Sequence, residues 1–298
     1  MLISGKEIRV SGRAVRVGRL DGEKFRFLEE PEQVIAALSN ARTRIDLFTF
    51  IPRLSESIPS YPYPMEMDNF AAITLTTFDE WWNKQLGFKA RNKAKQAEKK
   101  GVVIRETPFS DELVRGICEI YNECPIRQGR RFPHFGKDLA KVHHEEATYL
   151  ESSVFIGAYL GDRLIGFIKL LIDETGTQAG LLNIVSLISE RDKAPTNALV
   201  AAAVKACEAR GVRYLTYSNF SYGKKQSDSL SDFKERNAFK RVEVPRYYVP
   251  VTPLGHLALR LGLHRRLSER IPEPLAEKLR EFRDAWYKRK FPALTEAS

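Results

Sequence analysis

Val154-Phe-Ile-Gly-Ala-Tyr159, Gly161-Asp162 and Leu164-Ile-Gly-Phe-Ile-Lys-Leu-Leu-Ile172 stand in direct succession along the chain. Two apolar runs joined at a Gly-Asp pair read as a β-hairpin. Gly180-Leu-Leu-Asn-Ile-Val-Ser-Leu-Ile188 is the next strand. Pro195 then pre-sets φ for the first turn of an Ala-rich helix ending at Arg210, and Gly211 stands just past that end. Val212-Arg-Tyr-Leu-Thr-Tyr217 reads as a strand, Leu230 to Asn237 as a helix, and Phe239 to Val251 as a broken strand. Upstream, Val102-Val-Ile-Arg-Glu106 is a strand. Ser110 caps a helix whose apolar positions 113, 114, 117, 118, 121 and 124 keep the helical period. A basic loop, Pro125 to Lys137, leads to a second helix over roughly Asp138 to Leu150. The order is β-α-α-β-β-β-α-β-α-β, an α/β (α+β) pattern without a fixed-period repeat.

The stretch before Val102 reads as a hairpin over 7–20, a strand at Phe25-Arg-Phe-Leu28, a helix over about Glu32–Leu38 and a strand over 44–51. Pro52 to Met67 is a proline-rich loop, and Phe70 to Thr76 a strand. Thr77-Phe-Asp-Glu80 matches a capping box. The helix it opens runs to Lys100 with a break near Gly87, and Gly101 supplies the stop. Of the 298 residues 43% are hydrophobic and 29% charged, a globular composition that excludes disorder and collagen. Cys118, Cys124 and Cys207 cannot close a disulfide framework, and no signal pattern or bilayer-spanning run is present. A cytoplasmic location is expected.

The net charge is +10. It falls outside the middle of the chain: 18 basic against 13 acidic residues up to Arg105, 20 against 19 from Glu106 to Pro253, and 10 against 6 from Leu254. Such a balance suits anionic partners, or else solvated helix faces.

The element order over Val102 to Val251 resembles the GNAT acyltransferase superfamily. Three stretches point to its Fem-like branch, the peptidoglycan-bridge aminoacyltransferases and their relatives. They are Lys89-Ala-Arg-Asn-Lys-Ala-Lys-Gln-Ala-Glu-Lys-Lys-Gly101, Gly129-Arg-Arg-Phe-Pro-His-Phe-Gly-Lys137, and Phe233-Lys-Glu-Arg-Asn-Ala-Phe239, with Ala238 where Gly is usual. The resemblance implies a GNAT-type acyl-CoA N-acyltransferase fold. Two GNAT-like domains would sit side by side: a degenerate one over 1–100 and the transferase domain over 101–253, followed by a basic amphipathic helical tail over 254–298. It implies no tightly bound cofactor, with acyl-CoA or aminoacyl-tRNA as co-substrate.

In that superfamily two parallel strands splay, the acyl donor lies in the gap, and its pyrophosphate rests on amides at the next helix N-terminus. The corresponding stretch here is Leu187 to Asn197. Leu187, Ser189, Arg191, Lys193, Thr196 and Asn197 are its candidate donor-binding residues. Ala194 and Thr196 stand where glycines are usual, and Pro195 removes one amide. Where a Glu base is often found on the splaying strand, this chain has Asn183, which cannot take a proton. Tyr217 and Asn219 are the substitutes, one as proton donor and the other as oxyanion stabiliser. Glu145 or Glu146 is a further candidate base, Glu145 being the choice. Arg127, Arg130, Arg131, His134 and Lys137 are expected to hold an anionic amine acceptor, Arg with bidentate geometry. Metal binding is not expected: of the His143-His144-Glu145-Glu146 run, only His143 and Glu146 share a helix face.

The function expected is N-acyl or aminoacyl transfer to an amine. A non-catalytic basic binding module for nucleic acid or anionic membrane is the alternative; as a transferase drawing on aminoacyl-tRNA the protein would have tRNA as a partner. The tail, with amphipathic helices over 256–267 and 273–290, packs on its own domain or makes peripheral membrane contact.

Overall fold

The computed structural model describes residues 1–40, 45–127, 130–221, 229–265 and 273–290. Arg44, Gly129 and the stretch 266–267 from the readings above lie outside these described residues. The strands are β1 (Leu2–Ile3), β2 (Lys6–Ser11), β3 (Val17–Leu20), β4 (Leu47–Phe50), β5 (Met65–Thr74), β6 (Val102–Glu106), β7 (Ile126–Arg127), β8 (Arg130–Arg131), β9 (Ser153–Leu160), β10 (Arg163–Ile172), β11 (Gln178–Ser186), β12 (Tyr214–Thr216) and β13 (Lys240–Pro250). All but β7 and β8 share one sheet, in the order β1-β2-β3-β4-β13-β5-β12-β11-β10-β9-β6. The helices are α1 (Pro31–Asn40), α2 (Phe78–Glu80), α3 (Phe88–Lys99), α4 (Asp111–Asn122), α5 (Leu139–Glu146), α6 (Pro195–Glu208), α7 (Ser229–Arg236), α8 (Pro253–Arg260) and α9 (Glu273–Lys290).

Local chemistry explains most element ends. Ser110 accepts from the amide of Leu113, Asp138 from that of Lys141, and Thr77 from that of Glu80. The Glu80 carboxylate bonds the hydroxyl of Thr76 rather than closing the expected box. A π-helical turn over Trp81–Gln85 separates α2 from α3, which is the expected break before Gly87. Gly101 and Gly211 take left-handed φ of 79° and 69° behind α3 and α6, and Gly161 turns the β9–β10 hairpin with φ 60°.

Two readings are corrected. Phe25–Leu28 is not a strand: Phe25 packs against Gly180, where a Cβ would lie 2.2 Å from its ring, so the segment is held by that close approach. Phe239 to Val251 is not broken but forms β13, which pairs with β5 from Lys240 to Tyr247 and with β4 from Tyr247 to Pro250. Strands from the first hundred residues thus interleave with later ones. β5 lies between β12 and β13, and β13 between β5 and β4.

Helices cover both faces of the β9–β12 region. On β10, Phe167 meets Tyr121 of α4, with rings 5.8 Å apart, while at its neighbour Gly166 a Cβ would lie 3.2 Å from Leu199 of α6. Successive residues of a strand point to opposite faces, so α4 and α6 lie on opposite sides. The main core, including Ile117, Ile165, Phe167, Leu199 and Val204, is built around this sandwich.

The sheet opens at β11. Between the pairs Leu170↔Leu181 and Lys169↔Asn183 the register shifts, leaving Leu182 as the extra residue of a bulge. A bulge bends its strand and increases local twist. β11 accordingly pairs in parallel with β12 only at Gln178↔Tyr214, Ala179↔Leu215 and Gly180↔Thr216. Beyond Thr216 the chain follows β5 instead: Tyr217 donates its amide to the carbonyl of Ala71 at 2.8 Å, and Ala71 donates to Ser218 at 2.9 Å. The expected V-shaped opening is present between 181–186 and 217–219.

Candidate active site

Asn183 lies on the stretch of β11 that has parted from β12, facing α4 and α5 because it pairs with Lys169 of β10. Its Nδ2 donates to both carboxylate oxygens of Glu146, at 3.0 and 3.2 Å. With the amide nitrogen held there, Oδ1 is turned away from Glu146, and it accepts no hydrogen bond from the described residues. Glu146 is only 1% exposed and also accepts from the hydroxyl of the fully buried Tyr121 at 2.8 Å. Burial pushes its carboxyl above the usual range, outweighing the Tyr121 bond, the charge of Lys169 and the Asn183 bond that pull it down. Lys169, itself buried, donates to the carbonyls of Glu146 and Thr148, both at 2.7 Å. Burial lowers its ammonium pKa, against the pull of Glu146.

Glu145, the preferred base, is a different kind of group. It bonds Lys137 at 2.5 Å and lies 3.6 Å from Lys141. Partial burial would raise its carboxyl, but the bond and charge of Lys137 carry it lower than usual. A carboxylate held in its charged form in this way is a weak base, whereas the carboxyl of Glu146 is held the other way. The helical period alone does not separate them, since they stand three and four residues after the fully buried Val142 and both positions share its face.

The basic loop serves more than one purpose. Arg127 donates to the carbonyls of Ser186 and Ile120, both at 2.7 Å, and to Glu123 at 3.2 Å. Its guanidinium therefore clamps the end of β11 to α4, with both terminal nitrogens bonded within the chain. His134 stacks on Tyr121 with ring centroids 4.3 Å apart. Burial and the neighbouring Lys137 lower its pKa to about 4, so it is neutral at pH 7 and holds no anion by charge. Lys137 lies 3.1 Å from Nδ1 of His134. Arg130 and Arg131, on β8, are exposed.

Across the opening, Tyr217 is the first residue past the last β11–β12 pair. The ammonium of Lys234, a fully buried lysine on α7, lies 4.7 Å from its ring centroid. Asn219 is occupied at both ends. Its Nδ2 donates to Asp68 at 2.7 Å, and its Oδ1 accepts from Lys24, which also donates to Ser218. Through these bonds Asn219 ties the strand end to the first part of the chain. Among the described residues, no hydrogen bond or ion pair joins Asn219 to Glu145.

The loop into α6 keeps its expected place below the splayed end of β11. Leu187 is buried and donates to Ile165 at 2.8 Å. The amides of Ile188 and Ser189, and the Ser189 hydroxyl, donate to Glu123 at 2.6, 2.9 and 2.8 Å, so a carboxylate of the chain already fills that turn. Arg191 and Lys193 belong to a 3₁₀ turn whose Asp192 carbonyl accepts from Gln96 and Lys100 of the α3 end. Thr196 bonds Ser186 at 3.0 Å, and Asn197 bonds Asn237 at 3.2 Å. Ala194 takes φ 54° and Ala238 φ 67°, the left-handed backbone that favours glycine, which explains why Gly is usual there. Glu146, Tyr121, Glu123 and Lys24, which sequence reasoning left out or ranked low, are the residues that bond the candidate site from outside it.

A bulged strand splaying from its parallel neighbour above a helix N-terminus defines the GNAT-type fold. No protein-family model matches the sequence, and no curated protein matches it either. Solved structures do. A domain assigned as the C-terminal part of a lysylphosphatidylglycerol synthetase from Agrobacterium fabrum is 14% identical, over 87% of this chain and 86% of that one, with a TM-score of 0.57. FemX is 11% identical over 85% and 86%, also at 0.57. L-PGS from Bacillus licheniformis is 13% identical over 89% of each chain, at 0.54. At such identities the likeness is one of fold.

Proposed function

We propose that the protein is an N-acyl or aminoacyl transferase. The observation that carries this reading is Asn183, set where β11 has parted from β12, with its amide oriented by Glu146. The oxygen left over accepts an N–H of an incoming amine and aims its lone pair across the opening. The amine nitrogen attacks the acyl carbon, the C–N bond forms, and the C–S bond of a thioester or the C–O bond of an ester breaks. The amine's proton ends on the leaving group, for which Tyr217 on the opposite wall is the proposed donor. Glu146 acts through Asn183 as a positioning residue.

The donor is an acyl-CoA or an aminoacyl-tRNA bound over Leu187–Asn197, where Arg191 and Lys193 supply positive charge. The fold shared with FemX and with lysylphosphatidylglycerol synthetases supports the aminoacyl side of this pair. So do Pro195, which withholds an amide, and Glu123, which fills the turn that a pyrophosphate would approach. The acceptor is an anionic amine, recognised by Arg130 and Arg131 with Lys137. The test supplies each donor, labelled in its acyl group, together with carboxylated amines, and follows label into a stable amide. Transfer is expected from one donor, and Asn183→Ala is expected to lower it by about tenfold or more in a protein that still unfolds cooperatively. No transfer from either donor, with RNA binding that falls steeply with salt, would overturn the reading in favour of a binding module.

A further inference from the structure

α8 is built inside out for a helix on a soluble surface. Its inner face is made of Gly255 and Ala258, both buried. A Cβ on Gly255 would sit 1.9 Å from the carbonyl of Asp46, so the helix lies directly on the backbone beneath it. Its outer face carries Leu254, Leu257 and Leu261, 43, 50 and 62% exposed, at the i, i+3, i+7 spacing of one stripe. The helix cannot turn these leucines inward. Thr252 caps it by accepting from Gly255, and just beyond it His264 and Arg265 both bond Glu66, at 3.0 and 2.8 Å. α9 carries a second exposed apolar stripe of Leu275, Leu279 and Phe282, the last 74% exposed.

Charge decides what covers these stripes. Residues 254–290 hold 10 Lys and Arg against 5 Asp and Glu. A second copy would bring the same excess against itself, whereas an anionic surface is attracted by it. Apolar stripes flanked by basic side chains are the features of helices that lie in a membrane interface. No helix among the described residues is long and apolar enough to cross one. We propose that α8 and α9 form a docking surface for the anionic face of a lipid bilayer, the leucines entering the headgroup boundary and the basic residues meeting lipid phosphates. The docking surface does not depend on the transferase reading.

The test is co-sedimentation of the full chain with phosphatidylcholine vesicles, with or without about one third phosphatidylglycerol. The protein is expected to sediment with the anionic vesicles and not with pure phosphatidylcholine. Raising salt to about 0.5 M, where screening acts within a few ångströms, should release most of it. Leu257→Gln combined with Leu261→Gln should lower the vesicle-bound fraction about tenfold or more, with an unchanged melting temperature because both positions are exposed. Phe282→Gln should act in the same direction. Binding to neither vesicle, or binding that the double variant leaves intact, would overturn the proposal. A concentration-dependent dimer that the double variant abolishes, without vesicle binding, would assign the face to a second copy instead.

Discussion

Replacing Glu146 with Ala tests the buried centre of the site. Tyr121 is fully buried and would lose the acceptor 2.8 Å from its hydroxyl. A buried hydroxyl left unpaired costs about 1–3 kcal/mol. Asn183 is half-buried and would recover water, at a cost of about 0.5–1 kcal/mol. Truncation at a position only 1% exposed also leaves a cavity, worth about 1 kcal/mol. Against these stands the relief of desolvating a carboxylate, so the net loss is about 2–4 kcal/mol, or a fall in Tm of roughly 4–12 °C. Glu145→Ala removes only a partly exposed ion pair and should change stability by less than about 1 kcal/mol.

The pH dependence separates the charge of Glu146 from its shape. Its pKa in the fold lies above the ordinary 4.5, so the protonated form favours folding. That contribution is whole below the unfolded-state value and is lost as pH rises through the folded one. Glu146→Gln cannot titrate, so wild type should gain stability relative to this variant as pH falls from neutral toward 4.5. Denaturant unfolding of both proteins across that range reads the difference. A wild type that loses ground to Glu146→Gln on acidification, or an Ala variant as stable as wild type, would refute the account of Glu146.

Two further outcomes follow from the same geometry. Arg127→Ala should unfold at a denaturant midpoint lower by the equivalent of about 2–4 kcal/mol, since two carbonyls and Glu123 lose a charged donor; an unchanged midpoint would return Arg127 to the acceptor surface. Ala238→Gly should raise Tm slightly, by the equivalent of up to about 1 kcal/mol, because φ 67° strains any residue with a Cβ; a lower Tm would show that the buried methyl matters more than the strain.

Much of the fold was legible in the residues because its signals are local. Ser110 reaches an amide three residues away, Gly161 needs only its own φ, and the apolar period of α4 belongs to α4 alone. The left-handed φ of 67° at Ala238, by contrast, is known only from the backbone. What the sequence could not declare were partners far apart in the chain. Glu146 and Asn183 are 37 residues apart, Lys24 and Asn219 are 195 apart, and Arg127 and Ser186 are 59 apart. Whether a carboxylate is a candidate base or a spent ion pair depends on its burial and neighbours, and those exist only once helix, loop and sheet have packed. Residue type and spacing determined which elements form and in what order. Tertiary packing decided that Asn219 and Arg127 are held by the chain itself, that His134 is neutral, and that Glu146 rather than Glu145 stands behind the splayed strand. Charge and hydrogen-bond capacity are properties of a residue, but their availability is a property of its surroundings.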